Sequence, residues 1–139
     1  MFGIRYVNGA DKLFWCTLDE HLSAQEFELK VRDKRGYVIS DGDEPIGVMR
    51  YNLFWDSMPF LTMIHLEDRY QMKGFGKQAL DFWENEMREL GFPLVMTSTQ
   101  VNEAAQHFYR KLGYVEKGSL LFDNTPCEQP MEMLMIKVL

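Results

Sequence analysis

The sequence predicts an α+β fold, a mixed sheet that begins as an antiparallel meander, contains one parallel strand pair and closes on a hairpin, with helices flanking it. Three observations carry this expectation. First, extended apolar runs at 37–39, 46–55 and 60–66 are joined only by turn residues, as antiparallel neighbours are. Second, Leu80, Trp83, Met87 and Leu90 recur at helical spacing between the 60–66 run and the next apolar run, 94–97. A crossover of that length makes the strands it joins parallel. Third, the alternating segment 131–139 follows a loop and pairs with an extended segment at 118–122.

In chain order, residues 4–7 read as a first strand and Asn8-Gly9-Ala10-Asp11 as a turn. Residues 11–18 read as a short helix packing Phe14 and Trp15. Ser23 and Glu26 have the spacing of a capping box, with Leu22 and Phe27 placed as a hydrophobic staple. That helix ends near Lys34-Arg35-Gly36, with cations in its last turn. Asp41-Gly42-Asp43-Glu44-Pro45 makes a hairpin turn, and Asp56-Ser57-Met58-Pro59 makes the next. Tyr51, Phe54, Trp55 and Phe60 read first as core, or else as the lining of a substrate pocket. A helix over 76–90 stops at Gly91, with Pro93 beyond it. Asn102 is expected to N-cap a helix over about 103–112, with Ala105, Phe108 and Leu112 facing inward and Gly113 as its stop. Met131, Met133 and Met135 form one face of the last strand.

Composition narrows the function. A chain of 139 residues favours a single domain over 1–139. With 46% hydrophobic and 14% aromatic residues it has material for a core. A net charge of −6 argues against a nonspecific nucleic-acid partner, which needs Lys and Arg to neutralise phosphates, and suits a cationic substrate. Cys16 and Cys127 lack metal-ligand spacing and read as reduced thiols of a cytosolic protein, so no metal is expected. No segment reads as a signal peptide or a membrane span.

The chemistry centres on 64–77. A strand ending Ile64-His65-Leu66 leads through Glu67-Asp68-Arg69-Tyr70 into Gln71-Met72-Lys73-Gly74-Phe75-Gly76-Lys77, where a helix begins. The first N–H groups of a helix have no intrahelical partner, its dipole favours an anion, and glycines allow close approach to the backbone. The stretch therefore reads as a phosphate-binding turn, or as an ordinary helix start with two glycines. It is not a G-x-x-x-x-G-K-[ST] loop. It matches G-x-G-x-x-G only with Ala79 in third place, and the following strand has no acidic end.

Gln71, Gly74 and Gly76 resemble the Q/R-x-x-G-x-G/A signature of the GNAT superfamily of N-acetyltransferases. A second block, Asn102 through Tyr114, is similar to that family's N-x-x-A-x-x-F/L-Y-x-x-x-G-F/Y pattern. Asn102, Ala105, Phe108, Tyr109, Gly113 and Tyr114 fall in place. The two blocks stand in the family's order. The resemblance implies a parallel strand pair splayed around acetyl-CoA as acyl donor. It implies that the 71–77 amides hold the pyrophosphate, that Ile64, His65 and Leu66 line the acetyl end, and that the Leu66 N–H stabilises the oxyanion. Asn102 would touch the pantetheine arm, and Tyr109 would protonate the departing thiolate. The acceptor would be a primary amine, on a small molecule or a peptide.

In this chain the 94–99 strand carries no carboxylate to serve as base. Glu67 is the first candidate, or else a surface carboxylate flanking the turn; Glu132 and His65 stand in reserve. Gln129-Pro130 precedes the last strand, where it would shape an acceptor mouth. A non-catalytic acyl-CoA-binding module and a nucleotide-binding domain are the rival readings. Exposed edge strands leave pairing as a homodimer open.

Overall fold

A computed structural model describes residues 1–139. Seven strands are β1 (Phe2–Tyr6), β2 (Gly36–Asp41), β3 (Glu44–Phe54), β4 (Met58–Leu66), β5 (Leu94–Gln100), β6 (Val115–Leu120) and β7 (Glu132–Val138). Four α-helices are α1 (Lys12–Leu18), α2 (Ala24–Asp33), α3 (Phe75–Glu89) and α4 (Ala105–Lys111). The strands hydrogen-bond in the order β1-β2-β3-β4-β5-β7-β6. As expected, β4 and β5 are parallel, and β6 and β7 form an antiparallel C-terminal pair. No helix is long and apolar enough to cross a membrane.

The chain divides into two compact units, Met1–Asn52 with Thr62–Asn85, and Leu53–Leu61 with Glu86–Leu139. In the first, β2 is flanked by β1 and β3, both antiparallel to it. Strand alternation sorts its side chains into two clusters. Val38 and Val48 pack with Val7, Trp15 of α1 and Phe27 of α2, and Leu22 packs against this cluster. On the other face Tyr37 stacks on Tyr51 at 6.3 Å, and Tyr51 meets Trp83 of α3 at 5.7 Å.

Local chemistry sets the ends of these elements. The Ser23 hydroxyl accepts the Glu26 N–H at 3.1 Å, and Lys34 ends α2 in the left-handed region at φ 56°. Asp19, just after α1, is buried and accepts from Arg50 Nε at 2.8 Å, Trp15 Nε1 at 3.1 Å and the His21 N–H at 3.1 Å. Burial alone would raise the Asp19 pKa; the Arg50, His21 and Trp15 bonds outweigh it and hold it below the ordinary value.

In the second unit Leu61, Val95, Met96, Tyr109, Tyr114, Met133 and Met135 are buried. Tyr109 and Tyr114 meet edge to face at 5.6 Å. Gly113 ends the α4 segment at φ 95°, as expected of a helix stop.

Several expectations are corrected. The first strand is Phe2–Tyr6, two residues earlier than the apolar pattern suggested. Trp55 is not core: β3 stops at Phe54, and Trp55 and Asp56 form the turn at φ 54° and 61°, leaving Trp55 78% exposed. Leu90 follows the end of α3 and is exposed. Asn102 does not cap α4. The Glu103 N–H bonds the Gln100 carbonyl, and Gln106 Nε2 bonds the Val101 and Glu103 carbonyls, holding this stretch as a turn. The helix therefore begins at Ala105, with Ala104 at its N-cap. The later start changes the inward face: Ala105 is exposed, Phe108 and Leu112 are half-buried, and Tyr109 is the buried residue.

Candidate active site

In the first unit the interest lies where β4 runs into α3. Gly47 of β3 lies against that strand end: a Cβ there would stand 2.9 Å from the His65 carbonyl oxygen and 2.4 Å from a Leu66 methyl. A glycine is what allows this approach. The Glu67 N–H donates to the Ile46 carbonyl at 2.8 Å, and the Leu66 carbonyl accepts Gln71 Nε2 at 3.0 Å. The peptide unit joining Leu66 to Glu67 is thus tied from both ends. Ile64 and Leu66 are half-buried and His65 is exposed.

A 3-10 turn at Asp68–Tyr70 follows, then the glycine turn. Gln71, Met72, Lys73 and Gly74 are exposed, and Phe75 and Gly76 are half-buried. Met72 and Gly74 adopt positive φ, 61° and 89°. Gly74 faces open space, so its conformation and not crowding favours glycine. The Gln78 N–H bonds the Gly74 carbonyl at 3.1 Å, which makes Phe75, Gly76 and Lys77 the first helical residues, with no intrahelical acceptor for their amides. Lys73 and Arg69 lie over the Tyr70 ring at 5.9 and 4.9 Å, and Lys77 pairs with Asp81 at 2.9 Å. The turn is chemically able to take an anion on backbone amides beside cations. Glu67, the sequence-selected base, lies 3.7 Å from Arg69 Nε and is one-third exposed.

In the second unit Tyr109 is the pivotal side chain. It is 7% exposed, and its phenol lies close enough to the Thr97 side chain for that group to influence its pKa. Thr97 Oγ1 donates to the Leu61 carbonyl at 3.0 Å. Burial raises the Tyr109 pKa above its ordinary value, partly offset by Thr97, and Glu103 adds a smaller upward push. The phenol therefore carries its proton at neutral pH. The parallel β4–β5 register consists of Phe60↔Met96 and Leu61↔Thr97, so Thr97, the side chain beside the Tyr109 phenol, stands in its last pair.

Thr97 was not legible as a partner of Tyr109 from sequence, because a 12-residue separation carries no local signal. Asn102 is exposed in the turn before α4. Glu132, a reserve base, is half-buried and accepts from Ser98 Oγ at 2.8 Å and Gln129 Nε2 at 2.8 Å.

Solved structures share this fold. Ard1 from Thermoplasma volcanium superposes with a TM-score of 0.85 at 14% identity, covering 99% of this chain and 97% of that one. A ribosomal-protein-alanine N-acetyltransferase from Brucella melitensis gives 0.81 at 19% identity, with 99% of each chain covered. Arabidopsis thaliana Naa50, in complex with the bisubstrate analogue CoA-Ac-MVNAL, gives 0.81 at 12%, again over 99% of each. No curated protein matches the chain in sequence. The sequence model described as the Acetyltransferase (GNAT) family matches residues 7–114, and the chain belongs to that family.

Proposed function

We propose that residues 1–139 act as one acetyl-CoA-dependent N-acetyltransferase whose acceptor is a primary amine. The observation that carries the reading is Tyr109: a buried, protonated phenol beside Thr97, which stands in the last registered pair of the parallel strands. In this reading the strand-end backbone at Ile64, His65 and Leu66 receives the pantetheine amides as a neighbouring strand would. Gln71, Met72, Lys73, Gly74, Phe75, Gly76 and Lys77 hold the pyrophosphate through the turn amides, and Asn102 contacts the pantetheine arm. The exposure of the turn and its two positive φ angles support this assignment.

The amine nitrogen attacks the thioester carbonyl carbon and the Leu66 N–H stabilises the oxyanion. The C–S bond breaks, the thiolate takes the Tyr109 proton, and the ammonium proton leaves to Glu67 directly or through water. A peptide amine is favoured by the fold neighbours: one is described as a ribosomal-protein-alanine N-acetyltransferase and another holds a CoA–peptide analogue. A cytosolic location and pairing as a homodimer through an exposed edge strand belong to the same proposal.

The experiment is a thermal-shift comparison of acetyl-CoA, NAD and ATP, followed by thioester cleavage with a panel of free amines. Stabilisation by acetyl-CoA and turnover with at least one amine are expected. Stabilisation by a nucleotide alone would overturn the reading, and acetyl-CoA binding without turnover of any amine would leave a binding module.

A further inference from the structure

Strand alternation gives β5 two different chemical faces. Thr97 and Thr99 are buried, as are Met133 and Met135 on the neighbouring β7. Ser98 and Gln100 are half-buried, and Glu132, directly opposite Gln100 in the antiparallel register, shares their face. The consecutive residues 97 and 98 therefore carry the phenol contact on one face and a carboxylate contact on the other.

We infer that Glu132, held by Ser98 and Gln129, is the carboxylate that binds the ammonium group of the acceptor, which gives one proton to solvent water before its nitrogen attacks the thioester. This rests on the acetyltransferase reading above and adds a residue to it. Three observations support the assignment. Each carboxylate oxygen accepts one bond, from Ser98 Oγ and from Gln129 Nε2, both at 2.8 Å, which fixes the group and leaves each oxygen a second lone pair. Both partners are neutral, so the charge is hydrogen-bonded but not cancelled. Glu44, Asp11, Asp19, Asp81 and Glu116 each have an Arg or Lys partner instead. A half-buried carboxylate with neutral partners favours an incoming cation over a neutral molecule of the same shape. Finally, Gln129 comes from the loop before β7, so that loop's conformation and the orientation of the carboxylate are coupled; Gln129 Nε2 also reaches the Pro130 carbonyl at 3.5 Å.

The role assigned to Glu132 is recognition, so its loss moves acceptor binding and leaves donor binding alone. The test measures KM and kcat for peptides with free alanyl or methionyl N-termini, n-butylamine and spermidine, together with the KM for acetyl-CoA. Glu132→Gln is expected to raise the acceptor KM about 10-fold or more, as loss of a charged hydrogen bond does, with the acetyl-CoA KM unchanged. Glu132→Asp should fall between the two. If Glu132→Gln does not fold, Ser98→Ala replaces it; that variant keeps the charge but frees one oxygen, and should raise the acceptor KM about fivefold. An acceptor KM within about twofold of wild type in the folded variant overturns the Glu132 assignment alone. Wild-type protein that binds acetyl-CoA but acetylates none of these amines overturns the acetyltransferase reading, and this inference with it.

Discussion

Gly47→Ala tests how tightly the end of β4 is held. The added methyl would sit 2.4 Å from Leu66 Cδ2, 2.9 Å from the His65 carbonyl oxygen and 3.4 Å from Leu66 Cα. The Leu66 methyl can rotate away at small cost. The carbonyl is backbone, and it moves only if β4 shifts by a few tenths of an ångström. Overpacking of this kind costs about 1–3 kcal/mol. For a domain of this size that corresponds to a fall in Tm of about 3–12 °C. Differential scanning calorimetry reads the stability and steady-state kinetics reads the KM for acetyl-CoA. A lower Tm together with a higher donor KM is expected, because the displaced residues are those assigned to the pantetheine. A Tm within about 1 °C of wild type would show that β4 accommodates the methyl freely, and would refute the close-approach argument.

Asp19→Ala should destabilise the protein by about 3–5 kcal/mol in urea unfolding, because it leaves the Arg50 guanidinium, 12% exposed, without its counter-charge. The same carboxylate sets an acid limit. Its folded pKa lies below the ordinary 3.8, so its contribution is present above that value and is lost as pH falls through the depressed one; a pH series of unfolding curves reads this. Gly74→Ala should cost about 1 kcal/mol or more through backbone strain at φ 89° alone, since nothing stands near the new methyl, and should weaken acetyl-CoA binding in a titration. The pH–rate profile should show no falling limb from Tyr109 until pH exceeds its ordinary value of 10.0, because burial raises that pKa.

The parts of the fold legible in sequence are those set by local pattern. The crossover from β4 to β5 follows from helix-period residues between two apolar runs, and Leu80, Trp83 and Met87 are buried as that period requires. Ser23 caps α2 because a serine hydroxyl reaches an N–H three residues on, whatever surrounds it. Asn102 had the same local credentials, yet a turn built by Gln100, Glu103 and Gln106 took over the segment and delayed the helix. That delay also turned Ala105 outward. Trp55 reads as core by hydrophobicity alone, but the β3–β4 hairpin needs two residues at positive φ, and Trp55 occupies one of them. The glycine turn was visible as a motif, whereas the bond from Gln71 to the Leu66 carbonyl was not, because it depends on how the chain doubles back after Asp68–Tyr70. Thr97 and Ser98 looked like ordinary strand residues. Their partners, Tyr109 and Glu132, are brought to them by α4 and β7, a tertiary arrangement that spacing does not encode.

Acetyl-CoA cleavage in a single turnover, with wild type and Tyr109→Phe loaded to the same occupancy, tests the central claim most directly. The Thr97 hydroxyl keeps its bond to the Leu61 carbonyl when the phenol is gone, so the variant should fold and bind the coenzyme as wild type does. The account predicts a rate lower by about 10²–10⁴-fold at unchanged acetyl-CoA affinity. Equal rates for the two proteins would contradict it.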